Sequence, residues 1–143
     1  MAIDCFDGKY AFLSNFYERP VSFLGITYQN SEAAFQAQKT LDEELKLKFA
    51  DLPPNKAKRL GRLIELRPDW EEVKNDVMYQ ICRIKFFTNK DLAQALLDTG
   101  EEELIEGNYW NDTYWGVCNG VGKNQLGKTL MRIRDELYAR GEF

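Results

Sequence analysis

Of 143 residues none is histidine. That absence excludes a histidine-based triad, a two-histidine zinc site and a histidine phosphate acceptor, because each needs an imidazole. Acid–base chemistry is left to carboxylates, lysine, tyrosine or cysteine. Cysteine is scarce as well: Cys5, Cys82 and Cys118 lie far apart and form no C-x-x-C pair. Scattered thiols without histidine fall short of the four ligands of a closed zinc site, and an odd number makes a poor disulfide framework. No metal is therefore expected, and a reducing compartment, the cytoplasm, is. No apolar stretch approaches the ~20 residues of a membrane span. The start, Met1-Ala-Ile-Asp-Cys5, lacks the basic-then-apolar layout of a signal peptide. A formal charge of −4 argues against non-specific binding to a nucleic-acid backbone but leaves room for a local basic pocket.

What is present suits one domain spanning residues 1–143. A chain of this size buries roughly 68–70% of its unfolded surface, enough for a core without staples. Val21-Ser-Phe23-Leu24-Gly25-Ile26-Thr-Tyr28 reads as a hairpin turning at Leu24-Gly25. Ser31 is a good N-cap for a helix running through Lys39, with Glu32 in the first turn. A second short helix is predicted over 42–51, and a third from Pro54 to about Leu66. Asp69 and Glu72 have capping-box spacing, and Trp70, Val73, Val77, Ile81 and Ile84 repeat at intervals of three and four down one long helix. Asn89 starts a further helix that Gly100 ends. A short strand over 104–107, an ordered glycine- and asparagine-rich loop over 108–124 and a basic amphipathic helix over 126–138 complete the chain. The fold class is α+β: mostly helical, with a small sheet or hairpin.

One motif is declined. Gly122-Lys-Asn-Gln-Leu-Gly127-Lys128-Thr129 fits the phosphate-binding pattern G-x-x-x-x-G-K-[ST]. Its mechanism needs a buried strand before the loop and a later strand carrying an Asp, and too little chain follows Thr129 to supply one. A glycine-bearing helix N-terminus still has free N–H groups for an anion, while the plainer reading is that Gly122 and Gly127 serve tight backbone. A second constellation is stronger. Glu32, Gln36 and Lys39 stand at i, i+4 and i+7, along one helical face. A carboxylate and an amine in line can work on one substrate atom, although the same pair also complements a helix dipole on a wet face. Third, Tyr109-Trp110-Asn111-Asp112-Thr113-Tyr114-Trp115-Gly116 gathers aromatics around one Asp in a turn-rich segment, suited to core packing or to stacking a flat heterocycle.

These pieces occur in order. Phe12-Leu-Ser-Asn15-Phe-Tyr17 precedes Tyr28-x-x-Ser31-Glu32-x-x-Phe35-Gln36-Ala37-x-Lys39 and Leu60-Gly61-Arg62. Trp70, Lys74, Met78, then Asn111-Asp112-x-x-Trp115-Gly116 and Gly122-x-Asn124-x-Leu126-Gly127 follow. Together they resemble the YbiA-like family, also called NADAR, over nearly the whole chain. The resemblance implies a small, mostly helical domain that hydrolyses N-glycosidic bonds without a cofactor. The implied substrates are small phosphorylated ribosides: ribosylamino-pyrimidine phosphates of early riboflavin biosynthesis, or ADP-ribosylated guanine, free or in DNA. Cys118-Asn119 departs from the family, many of whose members place a further glycine there.

Breaking a ribosyl–nitrogen bond builds positive charge on C1′ and negative charge on the departing base. On this reading Glu32 lies beside the ribose, and Asp112 holds a ribose hydroxyl or orients water. Lys39 either attacks C1′ of a ring-opened sugar as a neutral amine or stays charged and contacts an oxygen. Arg62 suits a phosphate, whose oxygens match its planar fork. Trp70 and Trp115 are walls for base or sugar, or core. Asn15, Tyr17 and Asn124 hydrogen-bond the substrate, or satisfy loop backbone groups. The competing class is a non-catalytic ADP-ribose or nucleotide sensor using the same pocket. No membrane partner is expected.

Overall fold

The computed structural model describes residues 2–141; Met1 and the last two residues of the expected domain lie outside the described residues. Strands β1 (Ala2–Ile3), β2 (Val21–Phe23) and β3 (Ile26–Tyr28) come first, with a 3-10 helix, Gly8–Leu13, after β1. Helices α1 (Ser31–Ala37), α2 (Glu43–Leu47), α3 (Pro54–Leu63), α4 (Trp70–Phe87) and α5 (Lys90–Leu97) follow. Strands β4 (Glu103–Leu104), β5 (Gly107–Asn108) and β6 (Val117–Cys118) then lead to α6 (Gln125–Arg140). The architecture is the expected helix-rich α+β class. Contacts gather in two compact units, one of Asn15–Lys85 and the other of the chain before and after it.

In the Asn15–Lys85 unit, β2 and β3 pair antiparallel with Val21 opposite Tyr28. The turn lies where the sequence predicts it: Leu24 and Gly25 both have positive φ (49° and 88°), the combination of a type I′ hairpin. α1 corrects the expected cap. Asn30, not Ser31, is the N-cap, its Oδ1 accepting from the Ala33 N–H at 2.7 Å. Both residue types cap well, but the Ser31 hydroxyl is taken by Asn15 Oδ1 at 2.9 Å. The helix also stops before Lys39. The N–H groups of Gln38, Lys39 and Thr40 each reach back three residues, to Phe35, Gln36 and Ala37, tightening the last turn. Every residue of α1 is buried, and α3 packs against it.

α2 and α3 are shorter than their sequence spans. Asp42 caps α2, and Pro54 opens α3, where its missing N–H is no loss. α4 buries Trp70, Val77 and Ile81 of the predicted stripe, while Val73 and Ile84 are half-buried. The buried face is wider than the stripe, because Met78, Cys82 and Lys85 are buried too.

In the other unit β1 lies parallel to β4 and β5 parallel to β6, so the expected strand over 104–107 is split between two short pairings. Gly100 ends α5 at φ 65°, its N–H donating to the Leu97 carbonyl at 2.9 Å. α6 buries Leu126, Leu130, Ile133 and Leu137. It begins inside the G-x-x-x-x-G-K-[ST] pattern, and Thr129 Oγ1 donates back to the Gln125 carbonyl at 2.8 Å. Gly127 instead permits close packing: a Cβ there would stand 2.1 Å from the Leu104 carbonyl oxygen. Among the described residues no helix is long and apolar enough to cross a membrane.

Candidate active site

The Asn15–Lys85 unit concentrates buried chargeable groups around α1. Asn15 sets its position. The Asn15 carbonyl accepts from the Glu32 N–H at 3.1 Å, its Nδ2 donates to Met78 Sδ at 3.3 Å, and its Oδ1 takes the Ser31 hydroxyl. One buried amide thus ties the first turn of α1 to α4, and its hydrogen-bonding groups are engaged by the protein.

Glu32 is only 9% exposed, and its Oε2 accepts from Gln36 Nε2 at 2.6 Å, one turn on. A charged carboxylate this deep needs hydrogen-bond donors or cations nearby. Lys39 follows at the tightened end of the helix, half-buried. Burial pushes its amine below the usual lysine range; Glu32 pulls it back up, while Arg62 and Lys58 push it further down. Desolvation prevails. Lys58 and Arg62 are one turn apart on α3, so α3 presents two cations within electrostatic range of Lys39. Lys58 Nζ also stands 5.8 Å from the centre of the exposed Phe16 ring.

Tyr17 is half-buried between cations. Lys85 Nζ is 5.6 Å and Arg19 Cζ 6.0 Å from its ring centre. Lys85 is 1% exposed. Burial pushes its amine down to about 8; Cys82 opposes that shift and Arg19 reinforces it. Cys82 is pushed up to about 12, also by burial, with Lys85 drawing it down and Glu32 raising it further. It is therefore a thiol, not a thiolate nucleophile. Trp70 is 5% exposed with its ring 5.2 Å from that of Phe35, which is a core position.

The remaining candidates lie in the other unit, where side chains organise backbone. Asp112 Oδ1 accepts from the N–H groups of Tyr114 (3.1 Å) and Trp115 (2.9 Å). Asn108 closes the same turn, donating to the Asp112 carbonyl at 2.9 Å and accepting from its N–H at 3.1 Å. Trp115 is half-buried, edge-on to Tyr114 with centres 4.9 Å apart. Asn124, buried and left-handed, accepts from the Glu106 N–H and donates to the Leu104 carbonyl, each at 2.9 Å. The structure therefore brings Glu32, Lys39, Arg62, Asn15, Tyr17 and Trp70 into one unit and places Asp112, Trp115 and Asn124 in the other. Sequence reasoning did not single out Lys85 or Lys58. Lys85 had a signal: it stands seven residues beyond Met78 and three beyond Cys82, on the same helical face.

Residues 5–138 match the family model of the NADAR domain. The chain belongs to the NADAR family. It is 42% identical over 132 residues to N-glycosidase YbiA of Shigella flexneri serotype 5b, covering 90% of this chain and 82% of that protein. A riboflavin biosynthesis protein of Vibrio vulnificus is 38% identical over 141 residues, 96% of this chain and 38% of that protein. The NMR structure of the E. coli protein YbiA matches with a TM-score of 0.86 at 38% identity, covering 98% of this chain and 87% of that one. This NADAR domain thus shares the α+β fold of a solved relative.

Proposed function

We infer that this NADAR domain is an N-glycosidase that releases a nitrogen base from a small phosphorylated riboside. It is a hydrolase acting on N-glycosyl bonds, as its relatives named N-glycosidase are by name. The observation that carries the assignment is the pairing of a buried carboxylate, Glu32, with a half-buried amine of lowered pKa, Lys39, at the end of one helix. A sensor of nucleotides has less use for that pair beside a neutral sugar.

Glu32 supplies the negative charge that offsets the cation growing on C1′. Lys39, neutral more often than an ordinary lysine, adds to C1′ of the ring-opened sugar. The base leaves with the C1′–N electron pair and takes a proton, and water then hydrolyses the lysine imine to free the sugar. Arg62 and Lys58 bind the phosphate from α3, and Tyr17 contributes a face for the sugar or base. Asn15 serves by placing Glu32. Asp112 serves by fixing the turn that carries Trp115.

The riboflavin biosynthesis protein among the relatives favours a ribosylamino-pyrimidine phosphate over ADP-ribosylated guanine. Base release is the test, with the pyrimidine riboside compared against ADP-ribosyl-guanine free and in DNA. Turnover of the pyrimidine riboside is the expected result; binding without release of free base overturns the enzyme reading. Borohydride added during turnover should leave the sugar reduced onto Lys39, detectable as added mass on its peptide. If Lys39 carries no adduct while turnover proceeds, the imine step is wrong and the lysine acts as a cation.

A further inference from the structure

The amide of Gln36 carries two structural penalties at once. Its Oε1 is buried and has no hydrogen-bond partner among the described residues, a destabilising state for an acceptor. Next to it, inside α3, lies Gly61. A Cβ at that position would stand 1.9 Å from Gln36 Oε1 and 2.7 Å from its Cδ, so any side chain there would push the amide out of the place it holds. Glycine within a helix is itself unfavourable relative to alanine. A methionine at 36 facing an alanine at 61 would remove both penalties and keep an apolar helix contact. The contact that such a pair would lose is the 2.6 Å hydrogen bond from Gln36 Nε2 to Glu32 Oε2.

We propose that Gln36 is a positioning residue which holds the Glu32 carboxylate ionised and in one orientation, and that Gly61 is the opening in α3 that admits its amide. The proposal rests on the reading of Glu32 as the carboxylate beside the sugar. The elements packed around α1 bring other titratable groups: Lys58 and Arg62 from α3, Cys82 and Lys85 from α4, Tyr28 from β3, and Glu43 and Lys46 from α2. Lys39 adds one from its own segment. Cys82 and Tyr28, both raised by burial, keep their protons in the acid range, and Glu43 is the other carboxylate among these groups. All of these groups stay in place when residue 36 is altered, so a change in the titration of the assigned Glu32 signal reports the lost amide donor.

Gln36→Met in the full chain tests this. Removing a donor from a carboxylate raises its pKa. The Glu32 side-chain carbonyl, assigned in a 13C-glutamate-labelled sample by comparison with Glu32→Gln, should titrate about one unit higher than in the wild type. The acid limb of kcat against pH should move up by the same amount, while KM changes less than threefold. Gly61→Ala, which leaves Gln36 chemically intact but displaces it, should move the titration in the same direction. It also serves if Gln36→Met fails to fold. Unchanged Glu32 titration in these variants would overturn the proposal, even if activity falls. The titration needs no substrate, so it decides the role of Gln36 even if the wild type hydrolyses no riboside, a result that would instead remove the glycosidase reading.

Discussion

The Asn15–Lys85 unit and the loop of residues 108–124 both bury polar side chains, but they satisfy them differently. In the loop most partners are backbone: Asp112 accepts from two N–H groups, and Asn124 bridges a carbonyl and an N–H, while Asn108 also donates to the Glu106 carboxylate. Such groups stabilise one loop conformation. Around α1 some buried side chains also cap or bridge backbone, but others face each other. Glu32 meets an amide, and Lys39 and Lys85 are amines with pKa values lowered by burial. A fold gains nothing from burying an amine, so a region that holds two such lysines is where the proposed chemistry is sought.

That contrast can be broken. The largest expected effect is on catalysis: Glu32→Gln should lower kcat by about a thousandfold or more, with the melting temperature unchanged or raised. A loss of stability to match would return Glu32 to the structural class. Lys85 comes next. An unfolded lysine titrates at 10.5 and the folded one at about 8. Between those values the unfolded chain binds more protons, so stability should rise with pH from about 8 to about 10.5. Below pH 8 the burial of its charge destabilises the fold by up to about 3 kcal/mol. Lys85→Met should therefore be more stable than the wild type at pH 7, and urea titrations at pH 7 and pH 10 should show the gap closing.

Asn124→Ala is the mirror test in the loop unit. It removes the partner of a half-buried N–H and of a buried carbonyl and should cost about 2 kcal/mol in urea denaturation, with kcat per folded molecule retained. A large fall in kcat with little change in stability would move Asn124 into the site. The smallest effect belongs to the exposed Arg62. Arg62→Ala should raise KM for a phosphorylated riboside about tenfold and leave the dephosphorylated riboside unaffected. Equal effects on both would show that Arg62 does not read the phosphate.

Much of this was legible in the sequence. The hairpin at Leu24-Gly25, Pro54 at the head of α3, the α4 periodicity and the glycine stop at Gly100 are all local signals, carried by residues within a few positions of one another. The misplacements came where distant residues compete for the same group. Ser31 and Asn30 are equivalent caps until Asn15 takes the Ser31 hydroxyl from across the unit. Parallel pairings such as β1 with β4 leave no trace in short strands a hundred residues apart. Glu32 and Lys39 were visible as a helical face, but the same spacing describes an exposed dipole pair. Lys85 was hidden for the opposite reason, because a lysine in a helix reads as surface.

By itself the sequence determined which chemistry was open: without histidine, proton and nucleophile duties fall to carboxylates and amines, and the periodicities specify the helices that carry them. Only the tertiary structure decided which of those carboxylates and amines are chemically unusual. That is a matter of desolvation and of neighbours from other elements. Lys39 departs from ordinary lysines because of burial and the cations of α3, Lys85 because α4 turns it inward, and Glu32 lies against a buried amide for which Gly61 makes room.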